Sequence, residues 1–313
     1  ILIEIKFASI CHSDIHQEKG HWGKQQYPQV PGHEIVGVVT AIGKNVSKFK
    51  IGDRAGVGCM VDGCTTCEEE QYEDGTKFTY GYADEREPTK ITQGGYSTHI
   101  VVNNHFAVHI PNNLSFEKAA PLLCAGITTY SPIMKAQINK GDKVAVAGIG
   151  GLGHMAVKLA VSKGAEVYAF TTSADKVKDI KAFGAKEVIV VDNKEKFLAY
   201  QGQMDYMIST IPYQFDVASY ASVVKPYGFF TQVGMPENFQ ITLNNLGLSV
   251  SRVNFNASLI GGMKETQEMI NYCAKNNVLP EIQIIKADDI NQAWKNVENK
   301  KARYRYVIDV ATI

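Results

Sequence analysis

Three short segments of the sequence carry side chains that could bind one metal ion together. Cys11 begins the segment Cys-His-Ser-Asp-Ile-His, residues 11–16, which follows an apolar run. His33 and Glu34 follow a Pro-Gly pair, and Cys124 lies within Leu-Leu-Cys-Ala-Gly. Two thiolates and one imidazole suit zinc, and three protein ligands leave a fourth position open, as in catalytic zinc sites. We therefore predict a catalytic zinc site at Cys11, His33 and Cys124, with Glu34 beside it.

Each of these residues has a simpler interpretation when it is taken alone. A buried free cysteine usually behaves as a small apolar residue, and a histidine in a turn usually binds nothing. Asp14 favours the metal interpretation, because its carboxylate could accept a hydrogen bond from a ligand imidazole. Spacing cannot prove that segments so far apart in the chain converge, so the support has to come from the rest of the sequence.

A glycine-rich segment supplies that support. Residues 143–147 are predicted as an apolar strand, a helical pattern runs from 154 to 163, and a second strand follows at 166–170. The G-x-G-x-x-G pattern between the first strand and the helix comprises Gly148, Ile149, Gly150, Gly151, Leu152 and Gly153. Glycines in this context let the backbone approach a pyrophosphate at the positive end of the helix. We predict dinucleotide binding here, and a purely structural turn is the alternative.

Composition limits the classes of partner. The chain has 313 residues, with 32 Lys plus Arg, 32 Asp plus Glu and 45% hydrophobic residues. This neutral balance predicts neither nucleic acid nor a membrane surface as partner. No segment is long enough to span a membrane, and no leader precedes Ile1, although we expect the true start to lie upstream because the first residue is not Met. The six cysteines favour metal binding in a reducing compartment, hence a cytoplasmic protein.

The order of predicted elements indicates an α/β protein with an inserted domain. Short strands broken by Gly and Pro dominate up to about residue 110, and one helix is predicted from Ser115 through Cys124 to Met134. Strands and helices then alternate, which is typical of a doubly wound parallel (Rossmann) sheet. We expect residues 1–123 to form the first part of a mainly β catalytic domain, 124–262 the nucleotide domain, and 263–313 the return to the catalytic domain.

The chain closely resembles the zinc-dependent medium-chain alcohol dehydrogenases, and within them the cinnamyl alcohol dehydrogenase group. The resemblance runs from Ile1 to Val310, and its most specific motifs are residues 10–16, 31–34, 123–128, 148–153 and 258–261. It implies a GroES-like catalytic domain, a catalytic zinc on Cys11, His33 and Cys124, and Glu34 behind the metal.

The resemblance also implies a proton path. Ser13 would accept the proton of the alcohol and pass it through the cofactor ribose toward His16. For His16 an ordinary surface histidine is the alternative. His12 would lie near the pyrophosphate of the cofactor.

The choice of nicotinamide cofactor depends on the residues after the second nucleotide-domain strand. An acidic residue there usually binds the ribose hydroxyls of NAD. Here the strand ends in Thr171, Thr172 and Ser173, with Lys176 following, and hydroxyls plus a cation suit the 2′-phosphate of NADP. We therefore prefer NADP. Asp175 would favour NAD if it reached the ribose, and Thr172 or Ser173 as a simple helix cap is a further alternative.

Further residues are assigned to the cofactor and substrate by resemblance. Those along the cofactor are Thr128, Ser209, Thr210, Ile211, Val233, Gly234, Met235, Ser258, Leu259 and Ile260. Arg305 would lie near the cofactor phosphates, with a surface charge as its alternative. Trp22 and Leu259 would line the substrate pocket, unless they are ordinary packing residues. An apolar wall favours aromatic or medium-length aliphatic substrates over polyols.

The resemblance is incomplete at a second metal site. The family carries a structural zinc on four cysteines, but here only Cys64 and Cys67 are present, and residues 68–75 contain no further cysteine. Cys59 is not in the family's ligand position. Either residues are missing from the sequence, which we favour, or the site has lost its metal; Cys64 and Cys67 are thus predicted as partial ligands.

These residues together predict a zinc-dependent alcohol dehydrogenase or aldehyde reductase. It would transfer a hydride between NADP(H) and a zinc-bound primary alcohol or aldehyde, with small molecules as partners and a homodimer as the common family state. A non-catalytic NADP-binding sensor with the same fold is the alternative. A thiol redox protein using Cys64 and Cys67 is disfavoured, because the surrounding βαβ context is absent there.

Overall fold

A computed structural model describes residues 1–66, 76–84, 87 and 90–313. The chain divides into two compact units, which we call the discontinuous unit, residues 1–127 with 260–313, and the central unit, residues 128–259. The segment after residue 259 therefore groups with the first part of the chain. The predicted boundaries after 123 and 262 differ slightly, because Cys124 and Ile260 belong to the discontinuous unit.

The strands and helices of the described residues are as follows. The strands are β1 Leu2–Ser9, β2 Ile35–Ala41, β3 Arg54–Val57, β4 Met60–Asp62, β5 Lys77–Phe78, β6 His99–Val101, β7 Ala107–His109, β8 Lys143–Ala147, β9 Glu166–Thr171, β10 Glu187–Val190, β11 Met204–Ser209, β12 Val224–Gln232, β13 Asn254–Ala257, β14 Ile282–Ile285 and β15 Arg305–Asp309. The helices are α1 His12–Glu18, α2 Phe116–Ala119, α3 Ala125–Lys135, α4 Gly153–Ser162, α5 Val177–Ala182, α6 Glu195–Leu198, α7 Val217–Ala221, α8 Asn245–Ser251, α9 Met263–Asn276 and α10 Ile290–Glu298. No helix among these is both long and apolar enough to cross a membrane.

The discontinuous unit is built on a mainly antiparallel sheet. Its strand order is β14-β15-β1-β2-β3-β7, with β6 also pairing with β1. In β1, Ile3 and Ile5 are buried while Glu4 and Lys6 are partly exposed, which is the alternation of a half-buried strand. The pairing of β15 with β1 brings the C-terminal segment back into this sheet. Strand β15, near the C-terminus, is thus hydrogen-bonded to β1 at the N-terminus.

The central unit, described throughout, contains a six-stranded sheet in the order β10-β9-β8-β11-β12-β13. All its neighbouring strands are parallel. Its apolar core includes Phe170, Met207 and Phe230, each fully buried. The chain moves outward in one direction from β8 to β10 and then in the other from β11 to β13, so the sheet has a switch point between β8 and β11. The predicted fold class, a doubly wound sheet inserted into a mainly β domain, is confirmed.

The long helix predicted from Ser115 to Met134 is wrong. The structure has α2, then a 3₁₀ turn at Ala120–Leu123, a break at Cys124 and then α3. Pro121 explains the difference, because proline fixes φ and has no N–H to continue the α-helical hydrogen bonding. Cys124 itself has φ −126° and ψ −66°, outside the helical region. The break places this predicted ligand between two helical segments and not on the face of one helix.

Several short elements have no counterpart in the sequence predictions. They are α1, the β4-β5 pair, α6, α7, α8 and β13. Segments of two to seven residues with mixed composition give too little periodicity to be recognised. The omission of α1 matters most, because this helix carries the predicted residues Ser13 and His16.

Candidate metal centre and glycine loop

The structure brings the predicted catalytic zinc ligands together. One ligand atom from each of Cys11, His33, Glu34 and Cys124 lies within 4.8 Å of the others, and all four residues are buried. The Sγ atoms of Cys11 and Cys124 are 4.0 Å apart. Two thiolates on one tetrahedral zinc, with Zn–S bonds of about 2.3 Å, stand about 3.8 Å apart. The donor set and its spacing therefore fit zinc.

Each ligand is positioned by the end of a secondary-structure element. Cys11 caps the N-terminus of α1, and its backbone N–H donates to Asp14 Oδ2 at 2.8 Å. His33 and Glu34 lie immediately before β2, after Gly32, whose φ of +103° favours glycine. Placing ligands at element ends orients them without interrupting the sheet.

The orientation of the His33 ring follows from its hydrogen bonds. His33 Nδ1 is 3.3 Å from Asp14 Oδ1 and 3.1 Å from the Tyr80 hydroxyl. Because Nδ1 faces these oxygens, Nε2 is the nitrogen available to a metal. The carboxylate predicted beside the ligand imidazole is therefore in contact with it.

The thiols of Cys11 and Cys124 have pKa values shifted in opposite directions. The hydrogen bond from Cys124 holds the pKa of Cys11 well below its usual value, although burial opposes this, and His33 adds to the lowering. The hydrogen bonds with Cys11 and Cys59, and then burial, raise the pKa of Cys124. The pair therefore favours one thiolate and one thiol until a cation replaces the second proton. Binding of a divalent metal here should release protons.

The pKa of His33 is subject to opposing effects. Burial by itself lowers the pKa of His33, but the charges of Cys59 and Asp14 outweigh it and raise that pKa well above its usual value. Cys59 thus acts electrostatically on His33 and on Cys124. Its thiol also lies 4.0 Å from the Leu123 carbonyl. Sequence analysis considered Cys59 only for the second metal site, and the structure associates it with the first.

Glu34 forms a buried ion pair with Arg305. Both carboxylate oxygens accept from the Arg305 guanidinium, and both side chains are almost fully buried. Burial raises the pKa of Glu34 to about 7, while Arg305 opposes the rise. Burial lowers the pKa of Arg305, but Glu34 more than offsets this. The guanidinium predicted near the cofactor phosphates is therefore paired with Glu34 in this structure, and its phosphate contact stays a prediction.

The predicted proton-path residues lie on α1. Ser13 Oγ is 3.5 Å from Cys11 Sγ, beside the metal ligands. His16 is only 4% exposed, so the alternative of a surface histidine is wrong. The His16 ring stacks on His12 with centroids 4.6 Å apart and lies 4.9 Å from the Trp22 ring. Trp22, predicted in the substrate pocket, is thus in contact with the predicted proton path.

Sequence analysis missed His21. Its Nδ1 is 2.9 Å from His16 Nδ1, and the two rings are 5.2 Å apart. One of these two nitrogens must donate and the other accept, so the tautomers of the two histidines are linked. A third histidine in the sequence so soon after His12 and His16 was the available signal.

A small apolar pocket lies next to a metal ligand in the discontinuous unit. Its lining includes Cys59, Met60, Leu123, Ile127, Ile260 and Met263. Leu123 directly precedes the metal ligand Cys124 in the chain. Ile260, which was predicted along the cofactor, lines this pocket. Leu259, predicted in the substrate pocket, belongs to the central unit and is 42% exposed there.

The glycine loop lies at the carboxyl end of β8 and leads into α4. Gly148 has φ +81°, and a Cβ on Gly153 would lie 2.0 Å from the Gly148 carbonyl oxygen. The Thr210 hydroxyl donates to that carbonyl at 2.6 Å. A Cβ on Gly150 would meet nothing within 4 Å. The loop is therefore closely packed on one side and open at Gly150, beside the switch point of the sheet.

The other predicted cofactor residues of the central unit lie at or just after strand ends. Those at the ends are Thr171 of β9 and Ser209 of β11, while Thr210, Ile211, Val233, Gly234 and Met235 follow β11 and β12, and Ser258 follows β13. A Cβ on Gly234 would lie 2.2 Å from the Ile211 carbonyl oxygen, so glycine is required for this approach. Thr128 is buried in α3. The carboxyl ends of parallel strands are where open α/β sheets bind ligands.

Lys176 lies against the glycine loop. Its ammonium group donates to the Ile149 carbonyl at 3.2 Å, and the side chain is buried. Ser173 precedes the 3₁₀ turn Ala174–Lys176. The central unit is described throughout, and within it the Ser173 hydroxyl forms no helix-capping hydrogen bond. Its N–H instead donates to Thr171 Oγ1 at 3.1 Å. The helix-cap alternative therefore does not explain Ser173.

The predicted second zinc site is only partly covered by the described residues. Cys64 is half-buried, and its Sγ lies 3.4 Å from Thr66 Oγ1. Cys67 lies outside the described residues. The prediction of a structural zinc on these two cysteines is therefore untested.

Comparison with known proteins identifies the family. Residues 1–112 match the alcohol dehydrogenase GroES-like domain, and residues 151–275 match the zinc-binding dehydrogenase domain. An NADP-dependent alcohol dehydrogenase C of Mycolicibacterium smegmatis is 44% identical over 319 residues, covering 100% of this chain and 91% of that protein.

Solved structures agree with this match. A cinnamyl alcohol dehydrogenase from Sorghum bicolor has a TM-score of 0.95 at 36% identity, covering 99% of this chain and 90% of that one. A CAD from Helicobacter pylori complexed with NADP(H) has a TM-score of 0.94 at 42% identity, with the same coverage of 99% and 90%. The chain belongs to the zinc-dependent medium-chain alcohol dehydrogenases, an oxidoreductase family, and within them to the cinnamyl alcohol dehydrogenase group.

Proposed function

We propose that this chain catalyses reversible hydride transfer between NADP(H) and a primary alcohol or aldehyde of aromatic or medium aliphatic type. The observation that carries the proposal is the buried cluster of Cys11, His33 and Cys124, which offers zinc three ligands with the spacing it requires. The central unit adds a glycine loop of the dinucleotide-binding type. The chain thus carries residues suited to binding the metal and residues suited to binding the hydride-carrying cofactor.

In this proposal Cys11, His33 and Cys124 hold the catalytic zinc. When bound, zinc supplies Lewis acidity, which polarises a carbonyl oxygen or lowers the pKa of an alcohol. The Asp14 contact keeps the His33 ring in position for binding. Glu34, paired with Arg305, places a further carboxylate behind the ligands without an unpaired buried charge.

Ser13 and His16 are the residues that we propose handle the substrate proton. Ser13 has a hydroxyl beside the Cys11 thiol, so it can accept a proton from a substrate oxygen at the metal. His16 lies one turn further along α1, and its contact with His21 offers the proton a second imidazole. Both residues lie on α1, so one helix positions the two groups.

The preference for NADP(H) rests on Lys176 and its neighbours. A buried ammonium group beside the glycine loop supplies a positive charge where the cofactor is expected, and Thr171 and Ser173 add polar groups. A 2′-phosphate would be stabilised by such donors. The relatives named as NADP-dependent, and the solved structure with NADP(H), support the same preference.

The substrate class is supported by the relatives and by the residues next to Cys124. The small pocket near Leu123 is lined mostly by aliphatic and sulfur-containing side chains, which favour apolar groups over the hydroxyls of a polyol. The name of the Sorghum bicolor structure, a cinnamyl alcohol dehydrogenase, fits this class. The natural substrate is best sought among small apolar aldehydes.

The test is an aldehyde panel assayed with NADPH and NADH on protein of measured zinc content. We expect turnover of cinnamaldehyde-like and medium aliphatic aldehydes with NADPH, loss of turnover after chelation, and recovery when zinc is restored. Turnover that persists in zinc-free protein would contradict the proposal. Tight NADPH binding with no turnover of any aldehyde or alcohol would favour the sensor instead.

We also propose a homodimer formed through the β13 edge of the central sheet. Beside this unpaired edge, Tyr227, Phe229, Leu246 and Val250 are between 49% and 74% exposed. Exposed apolar surface next to an open strand edge is typical of a protein interface. Sedimentation should show a dimer that Val250→Asp dissociates, while Leu198→Asp, at another exposed leucine in α6, should not; a wild-type monomer would rule the dimer out.

The expected location is the cytoplasm. Among the described residues, Cys11, Cys59, Cys124 and Cys273 are free thiols. Free thiols at a metal site persist best in a reducing compartment. Fractionation of cells that produce the protein would test this location.

A further inference from the structure

The Asp14 carboxylate is fully buried and accepts four hydrogen bonds, and its Oδ1 also lies 3.3 Å from His33 Nδ1. Its Oδ2 accepts from the Cys11 backbone N–H at 2.8 Å and from the Tyr96 hydroxyl at 2.9 Å. Its Oδ1 accepts from the Gly32 backbone N–H at 3.2 Å and from the Tyr80 hydroxyl at 2.6 Å. Two of the four donors are phenols, so tyrosine side chains provide half of the hydrogen bonds that compensate this buried charge.

Tyr80 has a second contact, with the metal ligand itself. Its oxygen lies 3.1 Å from His33 Nδ1, and its ring stacks against the imidazole with centroids 5.6 Å apart. A tyrosine has one O–H proton, and the 2.6 Å contact directs that proton to Asp14. The phenol oxygen can then accept from His33 Nδ1–H. This arrangement fixes the proton on Nδ1 and leaves the Nε2 lone pair for a metal.

Both phenols are suited to act as donors. A phenol with an ordinary pKa of about 10 carries its proton throughout the neutral range. Each hydroxyl can therefore donate its hydrogen bond to Asp14.

The two tyrosines come from different segments of the discontinuous unit. Tyr80 follows β5, and Tyr96 follows the turn at residues 94–95. The Tyr96 ring fills the space beside Gly32, where a Cβ would lie 2.6 Å from its Cδ1. Both side chains therefore converge on Asp14 and on the turn that carries His33.

We propose that Tyr80 and Tyr96 are positioning residues of the metal centre, with Tyr80 acting beside Asp14 to set the tautomer of His33 and both phenols holding Asp14 in place. The inference rests on the proposed zinc function. Groups that orient a metal-ligating histidine typically change metal affinity about 10- to 100-fold when removed. Tyr80 should have the larger effect, because it alone of the two contacts His33.

The experiment measures zinc affinity by competition with a chromophoric chelator, for the full chain and for Tyr80→Phe and Tyr96→Phe. The matched control is Tyr306→Phe. Tyr306 is also a buried tyrosine of the discontinuous unit, but its hydroxyl bonds to Asn296. The zinc that is lost in Cys124→Ala defines the fraction bound at this site. The unfolding temperature of each zinc-free variant is measured in parallel.

We expect the zinc dissociation constant to rise about 10-fold or more in Tyr80→Phe. It should rise less in Tyr96→Phe and stay unchanged in Tyr306→Phe. Both Tyr80→Phe and Tyr96→Phe should lower the unfolding temperature of the zinc-free protein, because each removes a hydrogen bond to the buried Asp14 carboxylate. Wild-type zinc affinity in both variants would overturn the inference. So would equal losses of zinc affinity in Tyr80→Phe and Tyr96→Phe at equal losses of stability, since that pattern indicates a merely structural role. A zinc content that Cys124→Ala leaves unchanged would instead contradict the proposed zinc site.

Discussion

The two candidate binding regions of this chain are built in opposite ways. The metal centre gathers charged and polar side chains from separate segments of the discontinuous unit, and it buries all four candidate ligands. The glycine loop is one contiguous segment of the central unit. Its shape depends on glycines, because a Cβ at Gly153 would clash with the backbone. The first region should therefore be sensitive to the loss of particular side chains, and the second to the addition of atoms.

The largest effect is expected from Cys124→Ala. This variant removes one of three zinc ligands and should abolish both zinc binding at the site and turnover, because three protein ligands are needed for a catalytic site. NADPH affinity, measured by fluorescence titration, should stay close to wild type. Retained turnover would rule out the ligand role of Cys124, and a parallel loss of NADPH binding would show that the loss of a metal ligand also affects the cofactor site.

The reciprocal change is Gly153→Ala, with Gly150→Ala as its control. A Cβ on Gly153 would lie 2.0 Å from a backbone oxygen, whereas one on Gly150 would meet nothing within 4 Å. Overpacking of this kind costs about 1–3 kcal/mol, so we expect weaker NADPH binding and a lower unfolding temperature for Gly153→Ala. Its zinc content should be unchanged. Equal behaviour of the two alanine variants would contradict the described shape of the loop.

Lys176→Ala sharpens the comparison, because Lys176 is the side chain of the central unit whose charge we assign to the cofactor. Hydrogen bonds to charged groups contribute about 1.5–3 kcal/mol, so NADPH should bind at least about 10-fold more weakly while NADH is little affected. Lys178→Ala, at an exposed lysine in α5, is the control. If NADPH and NADH are weakened equally, Lys176 supports the loop and does not select the phosphate.

The smallest effect is expected from Thr210→Val, which removes one hydrogen bond to the Gly148 carbonyl. A single neutral hydrogen bond contributes about 0.5–1.5 kcal/mol, so NADPH affinity should fall only a few-fold. Thr210→Ser keeps a hydroxyl and should restore most of the loss in the same titration. A loss of more than about 100-fold would mean that Thr210 contacts the cofactor directly.

The two regions also differ in how far the sequence predicts them. The glycine loop could be placed on its strand and helix, because all its determinants lie within one short stretch between recognisable elements. The metal ligands were identified by residue type and family resemblance, but their convergence could not be derived from spacing. Tyr80 and Tyr96 were missed, because nothing local to either tyrosine indicates that its hydroxyl meets Asp14.

Backbone detail around Cys124 was the other failure. Apolar periodicity suggested one helix through this residue, but Pro121 forces a 3₁₀ turn that ends at the ligand. Pro121 is visible in the sequence, and its missing N–H already indicates a break in the helix at this point. Local breaks of this kind are common where a side chain has to be aimed at a site.

The close fit between Gly32 and Tyr96 has an evolutionary consequence. Any side chain at position 32 would displace the aromatic ring, whose hydroxyl could then no longer reach Asp14. A smaller residue at position 96 would make room for it only by giving up that hydroxyl. Because the φ of +103° at position 32 also strains any residue other than glycine, a smaller residue at position 96 would remove only the steric conflict, and homologous sequences should keep glycine at position 32.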